Sequence, residues 1–164
     1  MKTRLTSFDV VQNISLSAIA LHTFTVGYNN IACKKNNKPD YPKLEYFFYI
    51  LPLIYHQNSL EYFHNRHNLY TVLSKYPELV TQLEHRANKM SEQTFDALNL
   101  AFSRKILNIK IIDNKSQISL IRKTLINESY SHDVKKIING SKKLGYFFAK
   151  ETEKNIQIKL NIRF

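Results

Sequence analysis

FFYILPLIYH, residues 47–56, holds no acidic or basic side chain except His56, in a chain otherwise dense in lysine and asparagine. A helix apolar on every face is buried on every face, so the reading of this stretch decides the fold. The helix is expected to run from Leu44 through His56, with Pro42 suited to its first turn. Pro52 removes one main-chain hydrogen bond and is expected to kink or divide it. The sequence therefore places LEYFFYILPLIYH at the centre of a core, with other helices packed round it.

Upstream, Asn13 is a good cap for a helix through ISLSAIALHTFTVGY. Ile14, Ala18, Leu21 and Thr25 share its apolar face, widened by Ile19 and Val26. Gly27 marks either the end of this helix or a close approach of two backbones. CKKNNKPDYP then reads as an exposed loop. Downstream, Pro77 and Glu78 suit a helix start. Ser91 is expected to cap a helix over 92–105 whose apolar stripe is Phe95, Leu98 and Phe102.

The period then changes. ILNIKIIDNKSQISLI reads as two strands around Asp113-Asn114-Lys115. SHDVKKIINGSKKLGYFFAKE reads as a helix starting near Ser131 or Asp133, weakened by Gly140 and Gly145. In the closing IQIKLNI, Ile156, Ile158, Leu160 and Ile162 alternate with polar residues, which predicts a strand that pairs with the hairpin. The expected class is a mainly helical α+β single domain over 1–164. Its helical part is about 10–105, and its hairpin, helix and terminal strand about 106–164. A helix feeding a hairpin also fits a winged helix, with 92–105 in the recognition position and 106–121 as the wing; a plain α+β domain fits the same order equally.

The chain has 164 residues, 43% of them hydrophobic and 12% aromatic, enough for a real core rather than a disordered tail. Lys2 and Arg4 begin like a signal peptide, but Asp9, Gln12 and Asn13 break the apolar region that one needs. The uncharged run at 46–60 is too short to span a bilayer. Cys33 is the lone cysteine, so no internal disulfide forms and a reduced, cytoplasmic setting is expected.

Catalytic chemistry has little purchase here. Three scattered glycines cannot build a phosphate loop. The carboxylates Asp9, Asp40, Glu45, Glu61 and Glu78 are unpaired along the sequence, and a Cys33–His22 dyad lacks an orienting third group. His56, His64 and His67 are spaced for a metal but lack the cysteines usual beside them. Catalytic, cofactor and metal sites are all expected to be absent.

Binding chemistry is better supplied. The formal net charge is +11, with 16 basic against 8 acidic residues from Leu83 onward and 8 against 5 before it. Lysine dominates, and lysine is a poor bidentate reader of bases. Phosphate contact, if made, would fall to Arg104, Lys105, Lys110 and Lys115 at the helix end and wing, and to Lys135, Lys136, Lys142 and Lys143. For a protein partner the candidates are Tyr28, Tyr46, Tyr49, Tyr55 and Tyr146, since tyrosine favours interfaces, with core placement the competing account, above all at 46–55. His56 joins them, as does Arg86, which could grip a partner carboxylate or phosphate or merely cover Leu83 with its stem.

Several landmarks occur in a telling order: N-x5-7-A and then Gly27-Tyr28; LPL-x-x-H at Leu51, Pro52, Leu53 and His56; Arg86-Ala87 of HRA before a Ser-x-x-Thr helix start; and KKLGYFF with Leu144, Gly145 and Phe147. This order, from Asn13 to Arg163, resembles the middle-component family of bacterial three-component ABC systems. Tyr146 stands where the family often has tryptophan, Asn161-Ile162-Arg163 where it often has a Gly-Val-Arg-like turn, and no arginine occurs among Gln57, Asn58 and Ser59. The resemblance implies a non-enzymatic adaptor. It would bridge an ABC ATPase, akin to chromosome-maintenance and DNA-repair ATPases, and a third, effector-type protein in anti-phage or anti-plasmid defence. A winged-helix protein contacting duplex phosphates through the basic C-terminal half is the alternative. Neither reading calls for a membrane or a small-molecule substrate.

Overall fold

The computed structural model describes residues 13–35, 40–56, 59–64, 68–124 and 130–163. The expectations for residues 1–12 and for the histidine pair reaching His67 lie outside them. The described chain runs α1 (Ile14–Lys35), α2 (Leu44–Ile54), α3 (Ser59–His64), α4 (Leu69–Lys75), a 3-10 turn (Pro77–Leu79), α5 (Leu83–Lys89), α6 (Ser91–Ser103), β1 (Leu107–Ile112), β2 (Lys115–Leu120), α7 (His132–Lys150) and α8 (Glu153–Leu160). It is a mainly helical α+β fold with a small antiparallel sheet.

Local signals hold where they were strongest. The Asn13 side chain accepts from Leu16 N–H at 3.0 Å, and Ser131 caps α7 by accepting from Val134 N–H. Asp113 and Asn114 both adopt left-handed φ, 50° and 58°, the backbone that a two-residue hairpin turn needs. The α2 run is buried at Tyr46, Phe47 and Ile50 through Ile54, with Pro52 in its last turn.

The centre is shared, however. Instead of showing one apolar face, α1 is buried nearly all round from Leu16 to Tyr28, while Ile14 is exposed. Its small residues Ser17, Ala18, Ala20, Thr23 and Thr25 let neighbours come close. Thr23 and Thr25 donate back to carbonyls on their own helix, Ile19 and Ala20 for the first and Leu21 for the second, so their burial strands no hydroxyl. Gly27 does not end α1. It meets α7, and a Cβ placed on it would lie 2.0 Å from the Lys142 carbonyl oxygen. A Cβ on Gly145 would lie 2.1 Å from Phe24 O and 2.7 Å from Tyr28 N. Neither glycine has a positive φ; space, not conformation, requires them.

Around this crossing the aromatics interlock. Phe24 stands edge-on to Phe47 at 5.6 Å and to Phe148 at 5.4 Å, and Tyr46 is edge-on to Phe148 at 5.4 Å, the preferred arrangement for ring quadrupoles. His22, also buried, bonds through Nε2 to the Arg122 carbonyl at 2.7 Å and ties α1 to the chain leaving β2. Burial pushes its pKa below the ordinary value, against the opposing effect of that bond. The ring is therefore neutral, with Nε2–H donating.

The expected terminal strand is a helix. Thr152 caps α8 by accepting from Asn155 N–H at 3.2 Å, and Asn161 closes it in the left-handed conformation. Alternation misled because within the helix Ile156 and Leu160, four apart, share the buried face while Ile158 is 67% exposed; Ile162 is buried just past its end. A third strand would also find the outer edge of β2 taken: Ile118 N–H donates to Pro42 O at 2.9 Å, and Lys43 bridges Gln117. The sheet is accordingly β1 and β2 alone among the described residues.

The crossing yields a graded expectation. Gly27→Ala and Gly145→Ala should each cost about 3 kcal/mol or more, because backbone cannot swing aside. Gly140→Ala should cost clearly less, since its methyl would meet the movable end of Leu60. Equal losses at all three in denaturant unfolding would contradict a backbone-limited crossing.

Candidate functional site

Three of the expected contact residues serve the interior. Tyr28 and Tyr46 are 7% and 3% exposed, and burial, the largest effect, pushes both phenols above their ordinary pKa. They face the core because α1, α2 and α7 converge on their rings, so they are corrected from contact residues to core residues. Tyr55 is half-buried, its hydroxyl 3.1 Å from Ser17 Oγ, which also accepts from Gln93 Nε2 at 2.9 Å. This polar knot fastens the end of α2 to α1 and α6.

Arg86 is also internal, in a way that neither sequence reading foresaw. An α-helix leaves its last carbonyls without helical partners. Arg86, projecting from α5, donates Nη1 to Pro52 O at 2.8 Å, in the final turn of α2. Its Nη2 donates to Leu79 O and, at 3.4 Å, to Thr81 O. Ser59 Oγ donates to Ile54 O at 2.7 Å. The proline-bearing helix thus ends in a collar of donors from α3 and α5, and Arg86 seats the 77–81 turn against it. HRA and LPL, separate landmarks in the sequence, are two halves of one contact.

The surface candidates are Tyr49, His56 and Tyr146, all half-buried. Tyr49 donates its hydroxyl to Arg163 O at 3.4 Å, and Tyr146 accepts from Asn30 Nδ2 at 3.4 Å. Tyr49 lines a recess of about 220 Å³ with Glu45, Phe48, Ala87, Asn88 and Arg163. Beside it stands the pair that sequence reasoning missed. Phe95 of α6 is 52% exposed, and its ring lies edge-on to Phe48 of α2 at 4.9 Å. Phe95 was expected in the core; instead Thr94, Ala97, Leu98 and Ala101 face inward. Their i, i+3, i+4, i+7 spacing was the available signal, since small residues mark the side where a helix packs closely. Ser91 does not cap α6; its hydroxyl donates to Asn88 O at 2.8 Å.

The basic candidates divide. Lys135, Lys136 and Lys143, with His132 and Asn139, lie along one face of α7 and line a groove of about 690 Å³ closed by Leu60 and Glu61 of α3. Lys142 lies outside this lining; its carbonyl meets Gly27. Arg104 and Lys105 are exposed after α6. Lys110 is drawn over the Tyr41 ring, 4.8 Å from its centroid. Lys115 reaches Glu153 at 3.6 Å, and Glu153 is paired more closely with Lys43. The hydrogen bond from Lys43 chiefly holds the Glu153 carboxyl below its ordinary pKa. The hairpin lysines are thus partly committed within the chain. The exposed face of α6 carries Glu92 and Asp96, a poor surface to present to phosphates.

The sequence matches, over residues 1–164, the family described as ABC-three component (ABC-3C) system Middle Component 3. The chain belongs to this family. It is therefore a component of a three-component system, and the resemblance carried by Gly27, LPL, HRA and KKLGYFF corresponds to the glycine crossing and the arginine collar. No curated protein and no solved structure matches the chain. Among the described residues no helix is long and apolar enough to cross a membrane.

Arg86→Ala should cost about 3 kcal/mol by leaving buried carbonyls unsatisfied. Arg86→Lys should recover less than half, because one ammonium cannot span carbonyls from two segments. Full recovery by lysine in chemical denaturation would show that charge, not the fork, is what matters.

Proposed function

We propose that the chain is a non-catalytic adaptor, a single cytoplasmic domain that joins the ATPase of its system to the third, effector-type component in anti-phage or anti-plasmid defence. The observation that carries this reading is the solvent-facing Phe48–Phe95 pair beside the recess rimmed by Glu45 and Arg163. Aromatic and arginine side chains concentrate in the energetically dominant parts of interfaces. Here the rings are held by α2 and α6, both packed on the core, so little conformational freedom is lost on docking. Family membership supplies partners for such a surface.

Phe95→Asp tests it. Its exposure means the free chain should keep its melting temperature within about 2 °C. Affinity for the other two components, purified as a complex, should fall by about thirtyfold, as at an interface hot spot. Unchanged affinity would remove this surface from the reading, and a chain that stays alone when co-expressed with both components would end the adaptor role.

A second reading rests on the lysine face of α7. Lys135, Lys136 and Lys143 could follow a duplex backbone while the adaptor is held by its ATPase. Three phosphate contacts should give a log–log salt slope of about −2.7, reduced in Lys135→Glu/Lys136→Glu. A fluorescent duplex that fails to bind even at low salt would dismiss it.

A further inference from the structure

The two edges of the hairpin are treated differently. Pro42 and Lys43 cover β2, while β1 has no strand or bridge on its outer side among the described residues. The phase of the ladder fixes what that open edge presents. Ile121 N–H donates to Ile106 O at 3.0 Å, and the register runs Leu107↔Leu120 through Ile112↔Lys115. Hydrogen-bonded pairs alternate in an antiparallel ladder. Asn108, Lys110 and Ile112 therefore turn their peptide groups toward β2, and Leu107, Ile109 and Ile111 turn theirs outward. The bond from Ile118 N–H to Pro42 shows the same phase on the other strand.

The side chains on this edge are apolar and exposed: Ile109 is 44% and Ile111 77% accessible, on the same face as the buried Leu107 and as Ile118, the buried cross-strand partner of Ile109. Proteins usually blunt such an edge with a lysine, a proline or a bulge. The single lysine of β1 does not serve, because the Lys110 ammonium folds across the sheet onto Tyr41, toward the covered side. Arg104, Lys105, Arg122 and Lys123, all exposed, bracket the base of the hairpin. With a net charge of +11, a second copy would bring like charges against them.

We infer that the outer edge of β1 takes up an extended segment of a partner component as a third strand, the segment carrying apolar side chains at alternate positions and carboxylates where it passes the base of the hairpin. Main-chain hydrogen bonds from Ile109 and Ile111 would hold it, Leu107 being buried already, and the Ile109 and Ile111 side chains would pack on its apolar face. The inference rests on the adaptor reading for the existence of a protein partner, and on the ladder phase for the place and mode of binding.

Hydrogen exchange read amide by amide, on the full chain alone and with the purified other two components, tests it. The Ile109 and Ile111 amides should slow on the order of a hundredfold in the complex. Ile111→Pro removes an outward N–H and no bond to β2, and should weaken the complex on the order of tenfold. Ile111→Lys, which keeps every main-chain donor of the hairpin, should also weaken it and stands if the proline variant misfolds. Ile158→Lys, comparably exposed on α8, should leave affinity unchanged. A complex in which these amides exchange as in the free chain would overturn the inference and leave the adaptor reading standing. Slowed amides in the chain alone, with a dimer by light scattering, would assign the edge to a second copy and overturn it. Failure of any complex to form would remove the adaptor reading and this inference together.

Discussion

The contact between Gly27 and Gly145 sets the separation of α1 and α7, and other elements are placed by it. With the two backbones in van der Waals contact, Phe24 and Phe148 meet edge-on just beyond the crossing, and Tyr46 and Phe47 of α2 close over them. A wider separation would lose dispersion contacts along the length of both helices. It would also leave the small residues of α1 facing voids, which cost stability in proportion to their volume.

The second constraint is the proline-bearing end of α2. The helix is short, Pro52 lies in its last turn, and its last carbonyls fall in the interior, where unmet acceptors are costly. Donors come from Arg86 and Ser59, on different segments, so meeting a local deficit fixes the relative positions of α2, α3 and α5. That placement in turn brings Phe48 beside Phe95. The surface proposed for docking is thus a by-product of how the core is closed.

Much of this was legible residue by residue. Asn13, Ser131 and Asp113-Asn114 act through bonds to their own neighbours, and such signals survive whatever surrounds them. The burial of 46–54 was equally plain, because no rotation of that helix hides a polar face. What escaped depended on distant contacts. The terminal isoleucines alternate as a strand does, but the caps at Thr152 and Asn161 make the segment a helix. Phe95 was assigned inward by its hydrophobicity, while the core chose the small residues next to it. Tyr28 and Tyr46 carry a hydroxyl that suggested surface, but their rings fill space at the crossing. Arg86 was weighed as a surface charge, since nothing along the chain announces that carbonyls from α2 need it. The ordered landmarks identified the family before their physical roles could be seen.

The crossing joins segments that lie far apart in the chain; Asn30 and Tyr146, which bond across it, are separated by 116 positions. On the ribosome, α1 and α2 emerge long before α7 exists to cover them. Their apolar surfaces must wait, unshielded, until α7 has been made, a circumstance that exposes nascent chains to aggregation. Non-local closure of this kind also slows folding relative to a bundle of sequential neighbours. Expression yield of this small protein should therefore respond to chaperone supply and translation speed more than its size would suggest.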